Sequence, residues 1–130
     1  MRIRARLRLD YGSEGRPGRL LFGGKDREEA AAEVREQKVS LLRNVPVPGV
    51  TVEEVDASGQ VYVTVDERSG NEVAYAPVLL TITAESLEDL LRFAMREEFR
   101  RVEVLQPAEV NLSAYEIERL FYHLSGELAR

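Results

Sequence analysis

Residues 2–11 alternate between charge and hydrocarbon without a break, with Arg2, Arg4, Arg6, Arg8 and Asp10 on one side and Ile3, Ala5, Leu7, Leu9 and Tyr11 on the other. Successive side chains of a strand leave the backbone on opposite faces, so a period of two predicts a strand with one face in a core and one in water. A helix would scatter the same residues around its circumference. The chain must therefore build a sheet with one apolar and one polar face.

The stretch Gly12-Ser13-Glu14-Gly15-Arg16-Pro17-Gly18 is rich in residues that accept positive φ or preset a bend. Arg19 to Phe22 then resume the apolar pattern, which predicts a hairpin. Gly23-Gly24-Lys25 leads into Asp26-Arg27-Glu28-Glu29, the spacing of a capping box, so a first helix is expected from Asp26 to about Gln37. Val39, Leu41 and Val45 suggest a strand, with continued helix to Leu42 as the alternative. Pro46-Val47-Pro48-Gly49 marks a connection inside one domain. Val50 to Val55 and the alternating Val61, Val63 and Val65, separated by a turn at Ala57-Ser58-Gly59, read as an antiparallel pair. A turn at Arg68-Ser69-Gly70-Asn71 returns the chain to Val73 and Tyr75, and Val78 to Thr83 after Pro77 read as one more strand of a β-meander.

Ser86-Leu87-Glu88-Asp89 carries a second N-cap signal, followed by an apolar stripe of Leu87, Leu90, Leu91, Ala94 and Met95 that Phe99 closes against the core. Arg101 to Leu105 form a short alternating strand stopped by Pro107. Ser113-Ala114-Tyr115-Glu116 caps a last helix with Ile117, Leu120, Phe121, Leu124 and Leu128 inward. Amphipathic helices interspersed with antiparallel strands predict an α+β fold: a two-layer sandwich with a mainly antiparallel sheet and about three helices on one face, ferredoxin-like or a variant. A chain of 130 residues with 44% hydrophobic residues suits one core, so residues 1–130 are expected to form a single domain.

Several classes of function are closed by composition. Without cysteine there is no disulfide, thiolate metal site or cysteine nucleophile. No apolar run suits a signal peptide or a bilayer span, so a cytoplasmic protein without membrane contact is expected. Residues 1–25 hold seven Lys/Arg against two Asp/Glu although the whole chain carries −5, and sixteen arginines stand against two lysines. That basic end is a possible partner signal.

Residues 79–128 resemble the C-terminal extension that follows the WYL sensor domain in bacterial transcription regulators. The likeness rests on Leu79-Leu80-Thr81-Ile82, on Ser86-Leu87-Glu88-Asp89-Leu90-Leu91-Arg92-Phe93, on Val102-Glu103-Val104-Leu105-Gln106-Pro107-Ala108-Glu109-Val110, and on a closing helix. The resemblance implies a small ferredoxin-like unit associated with ligand sensing or oligomer contacts, and a regulatory or interaction role. These 130 residues contain no tryptophan, hence no Trp-Tyr-Leu signature, and no functional residue transfers.

The row Arg2, Arg4, Arg6 and Arg8 places four guanidinium groups along one strand face, where they could grip phosphates beside Tyr62, Thr64, Arg101 and Glu103 in the manner of a single-strand nucleic-acid binder. The plainer account is a solvated face in which Glu53 or Glu103 pairs with the arginines across strands. The glycine-rich tract ending at Lys25 offers anion-binding backbone before a helix, or simply turn chemistry. His123 stands seven residues from Glu116 on the last helix, a conceivable base with its carboxylate, yet it falls beside the apolar stripe as a helix surface residue would. Glu28-Glu29, Glu53-Glu54 and Glu97-Glu98 are consecutive and diverge, so they read as surface charge. Phe93, Tyr122, Leu79 and Tyr75 are candidates for exposed apolar positions that a dimer would bury.

The expectation is a non-catalytic binding or interaction module without cofactor, metal or catalytic residues, homodimeric, meeting a protein partner or small ligand. Second comes a nucleic-acid binder using Arg2, Arg4, Arg6 and Arg8. Third is an enzyme on a phosphorylated or acidic small molecule held near Lys25 and the arginine row.

Overall fold

The computed structural model describes residues 1–13 and 24–128 of the chain. Its elements run β1 (Ile3–Gly12), α1 (Gly24–Asn44), β2 (Val50–Asp56), β3 (Tyr62–Val65), β4 (Glu72–Ala84), α2 (Leu87–Ala94), β5 (Phe99–Gln106) and α3 (Ala114–Leu128). The sheet has the order β2-β4-β1-β5, with β3 also paired to β4, and every pairing is antiparallel. With β3 set aside, β1-α1-β2-β4-α2-β5 in that order is the ferredoxin-like arrangement, here extended by α3. The expected α+β two-layer sandwich is therefore the observed one.

The alternation of residues 2–11 gives β1 its two faces, and the sheet places it between β4 and β5. Ile3, Ala5, Leu7, Leu9 and Tyr11 are buried, in register with the equally buried Val78, Leu80, Ile82 and Ala84 of β4. Val39 of α1 and Leu90 and Phe93 of α2 close the core from above. Both faces of β1 thus follow directly from the pattern that predicts them.

Four expectations need correction. The strand expected around Val39 and Leu41 is the second half of α1, because Val34, Val39 and Leu42 share the core-facing side at helical spacing while Leu41 and Val45 are exposed. Packing of that stripe overrides the strand preference of β-branched residues. The described part of this helix already includes Gly24, so its start lies ahead of the expected cap at Asp26. Next, β2 and β3 do not pair with each other: β4 is long enough to take β3 along Glu72–Tyr75 and β2 along Leu79–Ala84, so of the expected meander β3-β4 is a hairpin and β2-β3 is not.

Pro77 does not divide β4. It lies where β3 has ended and β2 has not begun, so its missing N–H takes no bond from that ladder. Gly59 passes directly over the Pro77 ring, and Arg35 Nη1 ties the two by donating to Gly59 O at 2.7 Å and Pro77 O at 3.1 Å. The predicted turn before β4 forms as expected, with Gly70 at φ 74° and its N–H donating to Asp66 O at 2.7 Å.

Both later caps form as read. Ser86 Oγ accepts from Asp89 N at 3.1 Å, and Ser113 exchanges bonds with Glu116, each at 3.1 Å. The fourth correction concerns the face that α3 presents. This helix packs against α2 rather than on the sheet, and of its expected inward stripe Ile117 is 43% and Phe121 68% exposed. The predicted hairpin strand Arg19 to Phe22 lies outside the described residues.

Candidate functional site

The arginine row forms as the alternation demands, on the sheet face opposite the helices. Each of its members holds a carboxylate: Arg2 with Glu85 at 3.2 Å, Arg4 with Glu53 at 3.0 Å, Arg6 with Glu103 at 3.3 Å and Arg8 with Asp10 at 3.0 Å. Glu53 also accepts from the Thr83 hydroxyl, and that bond followed by the one from Arg4 holds its carboxyl below the usual range. The charge of the row itself is therefore locally balanced, across strands for Arg6 with Glu103 and within β1 for Arg8 with Asp10.

At the end of the row Asp10 is buried and surrounded. Tyr62 Oη donates to its Oδ2 at 2.6 Å, Arg8 holds Oδ1, and Arg100 Nε lies 3.6 Å away. Tyr62 stacks on Tyr75 with ring centroids 5.6 Å apart, and Arg100 lies over the Tyr75 ring. Burial, and next the bond to Asp10, push the Tyr62 hydroxyl up, while the Asp10 bond raises Arg8. Every polar group here faces a protein partner, so the cluster pins β3 and β5 onto β1. It accounts for Tyr75, expected to be an exposed apolar residue; Tyr62 meets the arginine row through Asp10, and Arg101 lies across from Arg8 on the same face as expected.

His123 does not meet Glu116, which is engaged in its cap. Its Nε2 lies 3.0 Å from Glu88 Oε2 on α2, and Glu88 Oε1 accepts from Arg119 Nε at 2.8 Å. The Arg119 bond, and after it His123, hold the Glu88 carboxyl below the usual carboxylate range, and Glu88 in turn raises Arg119. This is a clamp between helices. The consecutive glutamate pairs do not converge either: Glu53 serves Arg4, and Glu98 lies 3.5 Å from Arg96. Among the described residues no three His, Cys, Asp or Glu gather as metal ligands. The side chain of Lys25 and the glycine tract from residue 14 to 23 lie outside the described residues.

A groove of about 500 Å³ opens between α2, β5 and α3, one of several clefts among the described residues. Leu91 and Met95 supply one wall, Val102 of β5 the floor, and Ile117, Phe121 and Leu124 of α3 the other wall. The clamp at Glu88 holds α3 to α2 by one side, which leaves the wedge between α3 and β5 unfilled. Val102 and Val104 are in register with the wholly buried Leu7 and Ala5, yet they are 40% and 45% exposed, since among the described residues no helix packs closely over them. By sequence, Val102 and Val104 lie on one side of a short alternating strand, and the pattern does not distinguish a covered side from an open one. Of the apolar positions singled out in advance, Leu79 and Tyr122 are exposed and Phe93 is buried at 2%. Phe93 sits under α2 with the Arg96 guanidinium 4.3 Å from its ring.

Among the described residues no helix is long and apolar enough to cross a membrane. The chain matches no family model, no curated protein and no solved structure.

Proposed function

We propose that the chain is a non-catalytic interaction module that binds a protein surface through the groove between α2, β5 and α3. The lining of that groove carries the reading, since every side chain that forms it is apolar. Hydrocarbon left in water costs roughly 25 cal/mol per Å², which a partner covering the groove recovers. A site for a small polar substrate needs convergent polar groups to fix its orientation, whereas apolar side chains of a protein need only shape and contact.

The resemblance of residues 79–128 to an extension associated with oligomer contacts points the same way, because that segment supplies both walls and the floor. Nucleic acid is less well served. Its expected ligands, Arg2, Arg4, Arg6 and Arg8, already hold carboxylates that would have to be released.

The test uses 8-anilinonaphthalene-1-sulfonate with the folded protein at low concentration. Saturable binding at one site, lost in Phe121→Glu with the circular dichroism spectrum unchanged, is the expected result. Absence of saturable binding, or binding indifferent to Phe121→Glu and Leu91→Glu alike, overturns the reading.

A further inference from the structure

We infer that the partner of this groove is a second copy of the chain, joined to the first by antiparallel pairing of the two β5 edges about a two-fold axis at Val102. The inference rests on the reading of the groove as a protein-binding surface and names its occupant.

Three features of β5 converge. It is an eight-residue strand at the edge of the sheet, hydrogen-bonded to β1 alone among the described residues. An edge of this length is a template for another strand. Its core-side valines lie uncovered, as described above. Its charges, finally, are arranged for a partner that the described residues of one chain do not supply. Arg101 stands directly across from Arg8, a like charge, and Arg8 is turned to Asp10. Among the described residues Arg101 has no carboxylate partner, while Glu103, two positions along the same face, pairs with Arg6.

A two-fold axis through β5 relates residues symmetrically about its centre, and opposed residues of an antiparallel pair share a face. Centred on Val102, the pairing sets Arg101 of each copy against Glu103 of the other, so both arginines gain a carboxylate and each Glu103 lies between two guanidinium groups. Centring on Arg101 or on Glu103 sets like charges face to face. Centring on Val104 leaves Arg101 across from Pro107, again without a partner. Charge therefore selects Val102. The helices of the two copies fall on the same side of a ten-stranded sheet, and because Val102 forms the groove floor, the Val102 side chain of the second copy arrives at its mouth.

The experiment measures mass by sedimentation over a range of concentrations, together with oxidative cross-linking of single-cysteine variants in a chain that has no cysteine of its own. Val102→Cys is expected to cross-link efficiently, since directly opposed residues have Cα atoms about 4.5–5.5 Å apart. Val104→Cys is expected not to. Arg101→Glu should weaken the dimer at least about tenfold, and the exchange Arg101→Glu with Glu103→Arg should restore it.

A chain that stays monomeric at every concentration while binding the dye in its groove overturns the second copy and leaves the groove reading standing. A monomer without dye binding removes both. A dimer that cross-links at Val104 and not at Val102, or that is indifferent to Arg101→Glu, overturns the β5 pairing.

Discussion

Glu88 of α2 accepts from Arg119 of α3 at 2.8 Å, a bond that ties one side of the last helix to α2. With His123 on its second oxygen, Glu88 fixes α3 along one side only. The groove exists because that attachment is to α2 rather than to the sheet.

The clamp should be sensitive to acid. A carboxyl held low in the folded state contributes stability that is present above its ordinary pKa of about 4.3 and is lost as pH falls through the folded value. Amide protection of α3, followed by hydrogen exchange and mass spectrometry, is expected to fall earlier on acidification than that of β1. Glu88→Gln should lower α3 protection at neutral pH and flatten that acid dependence. Equal acid sensitivity of α3 and β1 in both proteins would show that Glu88 does not hold the helix.

Among the described residues, two glycines adopt positive φ in different surroundings. At Gly49, φ 78°, a Cβ would run into the Asp89 carboxylate, whereas at Gly70, φ 74°, it would meet nothing within 4 Å. Gly70→Ala is expected to destabilise by about 1–2 kcal/mol, the left-handed backbone term alone. Gly49→Ala should lose more than that, because the start of α2 must also shift. Urea denaturation of the pair decides it, and equal losses would contradict the close approach.

Leu7 and Leu41 test the corrected course of α1. Leu7→Ala empties a fully buried site between β4 and β5 and should cost about 2–5 kcal/mol. Leu41, placed on a strand by pattern but exposed on a helix in the fold, should tolerate alanine within about 0.5 kcal/mol. A large loss at Leu41 would favour the strand.

For the arginine face, fluorescence anisotropy with labelled single-stranded RNA is expected to show no binding at moderate salt, in wild type and in Arg4→Glu/Arg6→Glu alike. The carboxylates of Glu53 and Glu103 already occupy those guanidinium groups. Binding that falls steeply with salt and disappears in the variant would reinstate the nucleic-acid reading.

Much of the candidate site was present in the sequence as residues but not as a site. The stripe Ile117, Leu120, Phe121 and Leu124 is legible, and its period shows which side of α3 is apolar. It does not show that the helix stops short of the sheet, because a helix apolar on one face reads the same whether that face is covered or open. Likewise Val102 and Val104 alternate as core residues do. Only the strand order, which puts β5 at an edge beyond the reach of α1 and α2, leaves them bare.

Local chemistry determined the rest. The ten-residue alternation fixed β1 and both of its faces, Ser86 and Ser113 fixed two helix starts, and Gly70 fixed a turn, since each depends on residues within a few positions of one another. Even the pairing of Arg4 and Arg6 with Glu53 and Glu103 was among the alternatives that the sequence offered. Which strands pair, whether Pro77 interrupts one, whether Val39 belongs to helix or sheet, and whether an apolar face is covered depend on contacts between residues far apart in the chain. Those contacts are chosen by the burial of the whole core, and only the assembled fold could decide them.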